Sequence, residues 1–187
     1  VISGPSGVGK GTVVRRVLER HPEIRLSVSV TTRRPRPFER DGVDYRFVTD
    51  ERFDELVASG AFLEWAHVVG HRSGTPAAPV ERDLAAGHDV VLEIDVQGAR
   101  QVRNRVPGAV LVFLAPPSMA ELERRLRSRG TESEDRLRVR LATAEAEMRE
   151  RGWFDHVVVN DRVDRAAAEV EAIIQASRTP TEGPTHP

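Results

Sequence analysis

Gly4-Pro5-Ser6-Gly7-Val8-Gly9-Lys10-Gly11-Thr12 lies between a short apolar run, Val1-Ile2-Ser3, and a helical pattern carrying Val13, Val14, Val17 and Leu18. Strand, glycine-rich turn and helix therefore follow one another without a spacer. The spacing Gly4-x-x-x-x-Gly9-Lys10 is that of a phosphate-binding loop. Glycines let successive backbone N–H groups turn inward around an anion, and the start of a helix adds partial positive charge. Lys10 then reaches the outer phosphates of a nucleotide as a point charge. The chain has 28 Lys plus Arg, and Lys10 is the only lysine among them. Arginine serves everywhere else, so a compact ammonium has been kept where a planar fork fits poorly. The plainer alternative is a glycine-rich turn with no ligand, which leaves that lysine unexplained. On the first reading, Gly4, Pro5, Ser6, Gly7, Val8, Gly9, Lys10, Gly11 and Thr12 line a triphosphate.

One position departs from the motif. Gly11 stands where Ser or Thr normally offers a hydroxyl to Mg²⁺. Thr12 is about 100° further around the helix and cannot simply replace it. The Gly-Lys-Gly-Thr form is similar to the adenylate kinase loop, and that resemblance implies a Mg²⁺ held mainly through waters and phosphates.

A length of 187 residues suits one domain with a sizeable core and an inserted lobe. The formal net charge of −1 supplies no basic field, so no nucleic-acid partner is expected. The absence of cysteine excludes disulfides and thiolate metal sites. No apolar run is long enough to span a membrane and no signal peptide is visible, so a cytoplasmic protein without a membrane partner is expected. Val1 already falls inside a strand, and a few residues including an initiator Met are expected before it. Residues 177–187 read as a disordered tail.

Along the chain, a helix is expected from Lys10 to Arg20, stopping before Pro22. Leu26 to Thr32 alternates as a strand and runs into Arg33-Arg34-Pro35-Arg36-Pro37, a stiff extended segment. Arg33 and Arg36 can both be aimed at one anion there, or can simply be a solvated basic loop. Tyr45, the only tyrosine, opens a short strand to Thr49. A helix follows from Asp50 to Ser59, with Phe53, Leu56 and Val57 inward. Phe62 to Val69 is an apolar strand interrupted by Glu64. That carboxylate is either salt-bridged at the surface or a reader of guanine, whose N1–H and N2–H₂ one carboxylate can accept together. His71 to Pro76 reads as a turn, and Ala77 to Ala86 as a helix stopped by Gly87. Asp89 to Asp95 is a core strand ending in a carboxylate. Asp95 either lies near Mg²⁺ and phosphates or caps the next helix. Ala109 to Leu114 is continuously apolar, as parallel sheets require. Ser118 with Glu121 forms a capping-box pattern. Arg125 with Arg129, then Arg136 with Arg140, are i, i+4 pairs flanking a Gly/Thr/Ser connector. They are two solvated helices, or a lid that closes arginines over phosphates. A strand from His156 to Asn160 and a helix from Val163 to Ala176 complete an α/β chain with a mostly parallel sheet.

In combination these stretches resemble the guanylate kinases, nucleoside monophosphate kinases acting on GMP, over essentially all of Val1 to Ala176. The motifs that carry the resemblance are Ser3 to Lys10, Ser27 to Arg36, Phe62 to Ala66, Ile94 to Gly98, Ala115 to Ser118, Arg129 to Glu132 and Val158 to Asp161. The resemblance implies a three-layer P-loop core (residues 1–32 and 88–176), a GMP-binding lobe (33–87) and a helical lid (about 125–140). It implies ATP and GMP as substrates, Mg²⁺ as cofactor and transfer of the γ-phosphoryl group to give ADP and GDP. It assigns Ser29, Arg33, Arg36 and Tyr45 to the GMP phosphate and its surroundings, and Glu64 and Thr75 to guanine. Asp95 falls between GMP and the metal, Arg125, Arg129 and Arg140 with Lys10 are the catalytic cations, and Asn160 lies near the adenine. Ser73 takes the place of a second family Tyr on the GMP phosphate, and Phe38 replaces a usual Gly; both imply weaker GMP binding. The rival reading is a catalytically inactive guanylate-kinase-like interaction domain, whose usual signature is loss of the loop and lid arginines.

Overall fold

A computed structural model describes residues 1–68, 70–128 and 133–178. Its first sheet is parallel throughout. Strand β1 (Ile2–Ser3) leads through the glycine loop into helix α1 (Lys10–Arg20), as the sequence predicts. Strands β2 (Arg25–Leu26) and β7 (Val90–Val91) pair in parallel, as do β1 and β8 (Val112–Ala115), and β8 and β9 (His156–Val159). A parallel bridge from Ile2 to Glu93 joins the two sets, giving the order β2-β7-β1-β8-β9.

Helices cover both faces of this sheet. Alternation along β8 divides the core: Val112 and Leu114 face Val13, Val14 and Val17 of α1 and Ala166, Ala167 and Val170 of α7 (Val163–Arg178). Leu111, Phe113 and Ala115 face the other way, onto Ala99 and Val102 of α4 (Val96–Arg105) and Val80 of α3 (Ala77–Ala85). Helices α5 (Met119–Ser128) and α6 (Glu134–Arg149) pack on each other through Leu122, Leu126, Leu137 and Ala144. A 3₁₀ turn at Glu150–Trp153 leads from α6 back to β9.

The second sheet has the order β4-β3-β6-β5, built from β3 (Val30–Thr31), β4 (Arg46–Phe47), β5 (Phe62–Val68) and β6 (His71–Pro76). It carries helix α2 (Asp50–Ala58) and has its own apolar cluster of Val30, Phe53 and Phe62.

Four expectations are corrected. The single strand expected from Leu26 to Thr32 is two. Ser27 N–H still bonds Val91 in the first sheet at 3.0 Å, while the carbonyl of Ser29 accepts Arg46 N–H in the second at 2.8 Å. The chain changes sheet here, and a period of two cannot show which partner a strand takes. The expected turn at His71–Pro76 is strand β6, antiparallel to both β5 and β3. Its glycine suggested a turn, but Gly74 serves close approach: a Cβ there would lie 2.8 Å from that of Trp65. Ser118 caps α5 through Glu121 N–H at 3.1 Å, but the Glu121 carboxylate turns to Arg124 and Arg125 instead of closing the box. Helix α7 runs to Arg178, two residues past the expected boundary. Val69, Arg129 with Gly130 to Glu132, and the remainder of the expected tail lie outside the described residues. Among the described residues no helix is long and apolar enough to cross a membrane.

Candidate active site

The loop is held open by its own backbone and braced from behind. Gly9, at φ 97°, sits in the left-handed region, and a Cβ on it would meet Asn160 Nδ2 at 2.7 Å. Asn160 is buried and donates to the Val8 carbonyl at 2.8 Å. Arg125 reaches the same carbonyl at 3.2 Å, donates to the Asn160 carbonyl at 3.0 Å and is paired with Glu121 at 2.8 Å. Asn160 and Arg125 thus shape the loop. Lys10 folds inward, its ammonium donating to the carbonyls of Gly4 at 2.6 Å and Pro5 at 3.4 Å. From α6, Arg140 donates to the Ser6 hydroxyl at 2.7 Å. Glu147, further along the same helix, accepts Ser6 N–H, while its buried Oε2 has no hydrogen-bond partner. Burial raises the pKa of Glu147, against the charge of Lys10. Arg140 was legible in the sequence; Glu147 was not, since nothing local separates it from the other glutamates of α6.

Across from the loop, the second sheet presents arginines and one sealed carboxylate. Arg33 forks onto Glu39, at 3.0 and 2.9 Å, and stacks over the ring of Tyr45 at 5.3 Å. Arg36 gives Glu39 its backbone N–H at 2.8 Å and its guanidinium at 3.6 Å. Arg33 and Arg36 therefore do converge on one anion, and in this structure that anion is Glu39, which sequence reading passed over. Burial alone would raise the Glu39 carboxyl, but the bonds from Arg33 and Arg36 hold it below the usual range. Burial raises the Tyr45 phenol, with the charge of Glu93 adding and that of Arg33 opposing.

Glu64 is 3% exposed and accepts the Thr75 hydroxyl at 2.6 Å, which removes the surface salt-bridge reading. Burial pushes its carboxyl up to about 7, with Thr75 opposing and Asp95 adding. Asp95 caps α4 by accepting Gly98 N–H at 2.8 Å. A Cβ on Gly98 would lie 2.3 Å from Glu64 Oε2 and 3.3 Å from Asp95 Oδ1. Glu64, Thr75, Asp95 and Gly98 thus form one cluster from three separate stretches of chain. Ser73 turns its hydroxyl to the Val30 carbonyl at 3.4 Å. Arg72 is occupied by Asp50, at 2.7 Å, and by Asp54, and lies over the Phe53 ring.

A glycine loop of phosphate-binding spacing, on a parallel sheet joined to an arginine-bearing second sheet, is the layout of a P-loop nucleotide kinase. Known proteins agree. The family description "Guanylate kinase" matches residues 1–177. The chain is 56% identical to a guanylate kinase of Synechococcus sp. (strain CC9902) over 175 residues, 94% of each chain. It is likewise 56% identical to one from Thermobifida fusca (strain YX), over 96% of this chain and 91% of that one. The crystal structure of guanylate kinase from Anaplasma phagocytophilum superposes with a TM-score of 0.81 at 34% identity, covering 96% of this chain and 85% of that one. This chain belongs to the guanylate kinase family.

Proposed function

We propose that the protein transfers the γ-phosphoryl group of ATP to GMP, and to dGMP, giving ADP and GDP. The observation that carries this reading is Glu64: a sealed carboxylate, partnered by one hydroxyl, in a chain that also bears a phosphate-binding loop. Guanine offers it a pair of donors; adenine does not, and would leave the carboxylate unmatched. The second sheet, β3 to β6, forms the proposed acceptor lobe; it begins at Val30 and not at Arg33, and α3 with Val80 packs on the first sheet instead. Arg33, Arg36, Tyr45 and Ser29 are proposed to lie about the GMP phosphate. Lys10, Arg140, Arg125 and Arg129 are the proposed cations for the transferring group. The proposed location is the cytoplasm.

The residues present fit Mg²⁺. Among the described residues no group of three His, Cys, Asp or Glu forms a metal cage, and Gly11 offers no hydroxyl. Glu93 and Asp95 supply carboxylates that both feel the charge of Lys10. Mg²⁺ commonly takes one or two carboxylates plus waters and substrate phosphates. When bound, it would neutralise charge on the phosphates. The GMP phosphate has a second pKa of about 6, so its oxygen is ionised at neutral pH and no general base is needed. The protein's part is in-line positioning, charge neutralisation and exclusion of water by the lid.

A coupled assay with GMP, dGMP, AMP, CMP and UMP tests the reading: GMP should be phosphorylated far faster than AMP. Lys10→Ala should lower kcat by about 10²-fold or more while GMP still binds. Absence of turnover with GMP would leave the interaction-domain reading in its place.

A further inference from the structure

Helix α6 meets the glycine loop through a single loop residue. Arg140 donates to the Ser6 hydroxyl at 2.7 Å, and Glu147 accepts the Ser6 backbone N–H. These side chains stand at i and i+7 on the helix, so they share one stripe and leave it about 10 Å apart along the axis. They close on Ser6 from positions two turns apart. The remaining inward residues of α6 are apolar and belong to α5: Leu137 and Ala144 pack with Leu122 and Leu126. Just past Glu147, Met148 and Trp153 pack against the core of the first sheet. Glu147 therefore stands at the rooted end of α6, and Arg140 two turns closer to its start.

The bond that Glu147 accepts has a particular consequence. Ser6 N–H and the Pro5 carbonyl belong to one planar peptide unit and point to opposite sides of it. Lys10 donates to that carbonyl at 3.4 Å, while Glu147 takes the N–H. The peptide plane is thus held at both edges, and its orientation fixes where the Ser6 hydroxyl lies. That hydroxyl in turn receives Arg140. A carboxylate close to bound phosphates repels them, so its place here calls for a compensating role. We propose that Glu147 is a positioning residue for phosphoryl transfer, holding the Pro5–Ser6 peptide so that Ser6 sets Arg140 over the phosphate loop. The inference rests on the phosphoryl-transfer reading above and adds a residue to that same site. Glu147 acts here by reach, as an acceptor at a fixed distance from its helix, and not by its charge.

The test is steady-state kinetics with ATP and GMP on wild type, Glu147→Ala, Glu147→Asp, Glu147→Gln, Arg140→Ala and the Glu147→Asp, Arg140→Ala double variant. Glu147→Asp keeps the charge but is one methylene too short for Ser6 N–H. It should lower kcat about tenfold or more with both KM values little changed, as should Glu147→Ala. Glu147→Gln keeps an acceptor at full reach and should recover most of the lost kcat. In the Arg140→Ala background, Glu147→Asp should cost little more, because the two residues then act as one unit. Glu147→Asp carries the test if Glu147→Ala fails to fold. An unchanged kcat in Glu147→Asp, a loss in Glu147→Gln as large as in Glu147→Asp, or independent losses that multiply in the double variant would each overturn the proposal. If wild type turns over no GMP, it is the kinase reading that fails.

Discussion

Glu64 carries the most informative charge in the molecule. Its folded pKa, about 7, lies above the ordinary Glu value of about 4.3. The folded state therefore binds more protons than the unfolded one between those values. The stability that the neutral carboxyl contributes is complete below the lower value and is lost as pH rises through about 7. Guanine demands the opposite state, an ionised acceptor for both N1–H and N2–H₂. Binding GMP at pH 6 should therefore expel a proton from the protein. Calorimetry in two buffers of different ionisation heat measures this: proton release should be larger for wild type than for Glu64→Gln, the phosphate's own contribution cancelling. Equal release from the two would remove Glu64 as the base reader. Glu39 poses a related question on the second sheet: it occupies Arg33 and Arg36, and on the proposed reading it competes with the GMP phosphate for their forks.

Two helices organise the site as elements. Helix α4 fastens the second sheet to the first: Gln101 exchanges bonds with the Trp65 backbone at 3.2 and 2.6 Å, and Arg105 donates to the carbonyls of Phe62 and Leu63. Its first turn also lies under Glu64, where Gly98 leaves no room for a side chain. Gly98→Ala should displace the carboxylate and lower kcat/KM for GMP by about 10²-fold, as a misplacement near 1 Å does, with ADP affinity unchanged. Steady-state kinetics with calorimetry on ADP decides it, and an unaltered GMP specificity constant would show that Glu64 can be shifted at no cost. Helix α6 reaches the glycine loop, where Arg140 and Glu147 both end on Ser6.

At the scale of the whole molecule, the apolar clusters are unequal. The first sheet is packed on both faces, with Leu111, Phe113 and Leu114 wholly buried, while the second rests on Val30, Phe53 and Phe62. Segments with less buried apolar surface open at lower free energy. Amide exchange should therefore be faster in β3 and β6 than in β8, and bound GMP should slow the second sheet selectively. Uniform exchange across both sheets would count against an acceptor region that opens and closes as a unit.

The order of strand, loop and helix at the chain's start, the apolar strand expected over Ala109–Leu114 and found as β8 (Val112–Ala115), and the isolated Lys10 were all legible in the residues. Each depends on neighbours within a few positions, where backbone sterics and periodicity act. The split of Leu26–Thr32 between two sheets and the strand at His71–Pro76 were not, because strand pairing is a contact between distant stretches. The same holds for the site. Lys10 and Glu64 declare themselves locally, one by motif and one by interrupting an apolar strand. Glu39 beneath two arginines, Gly98 beneath Glu64 and Glu147 on Ser6 are ordinary residues until folding sets them there. Sequence alone determined which chemistry the chain carries; the tertiary structure decided which carboxylate each charge meets, since burial and proximity exist only after the chain has closed on itself.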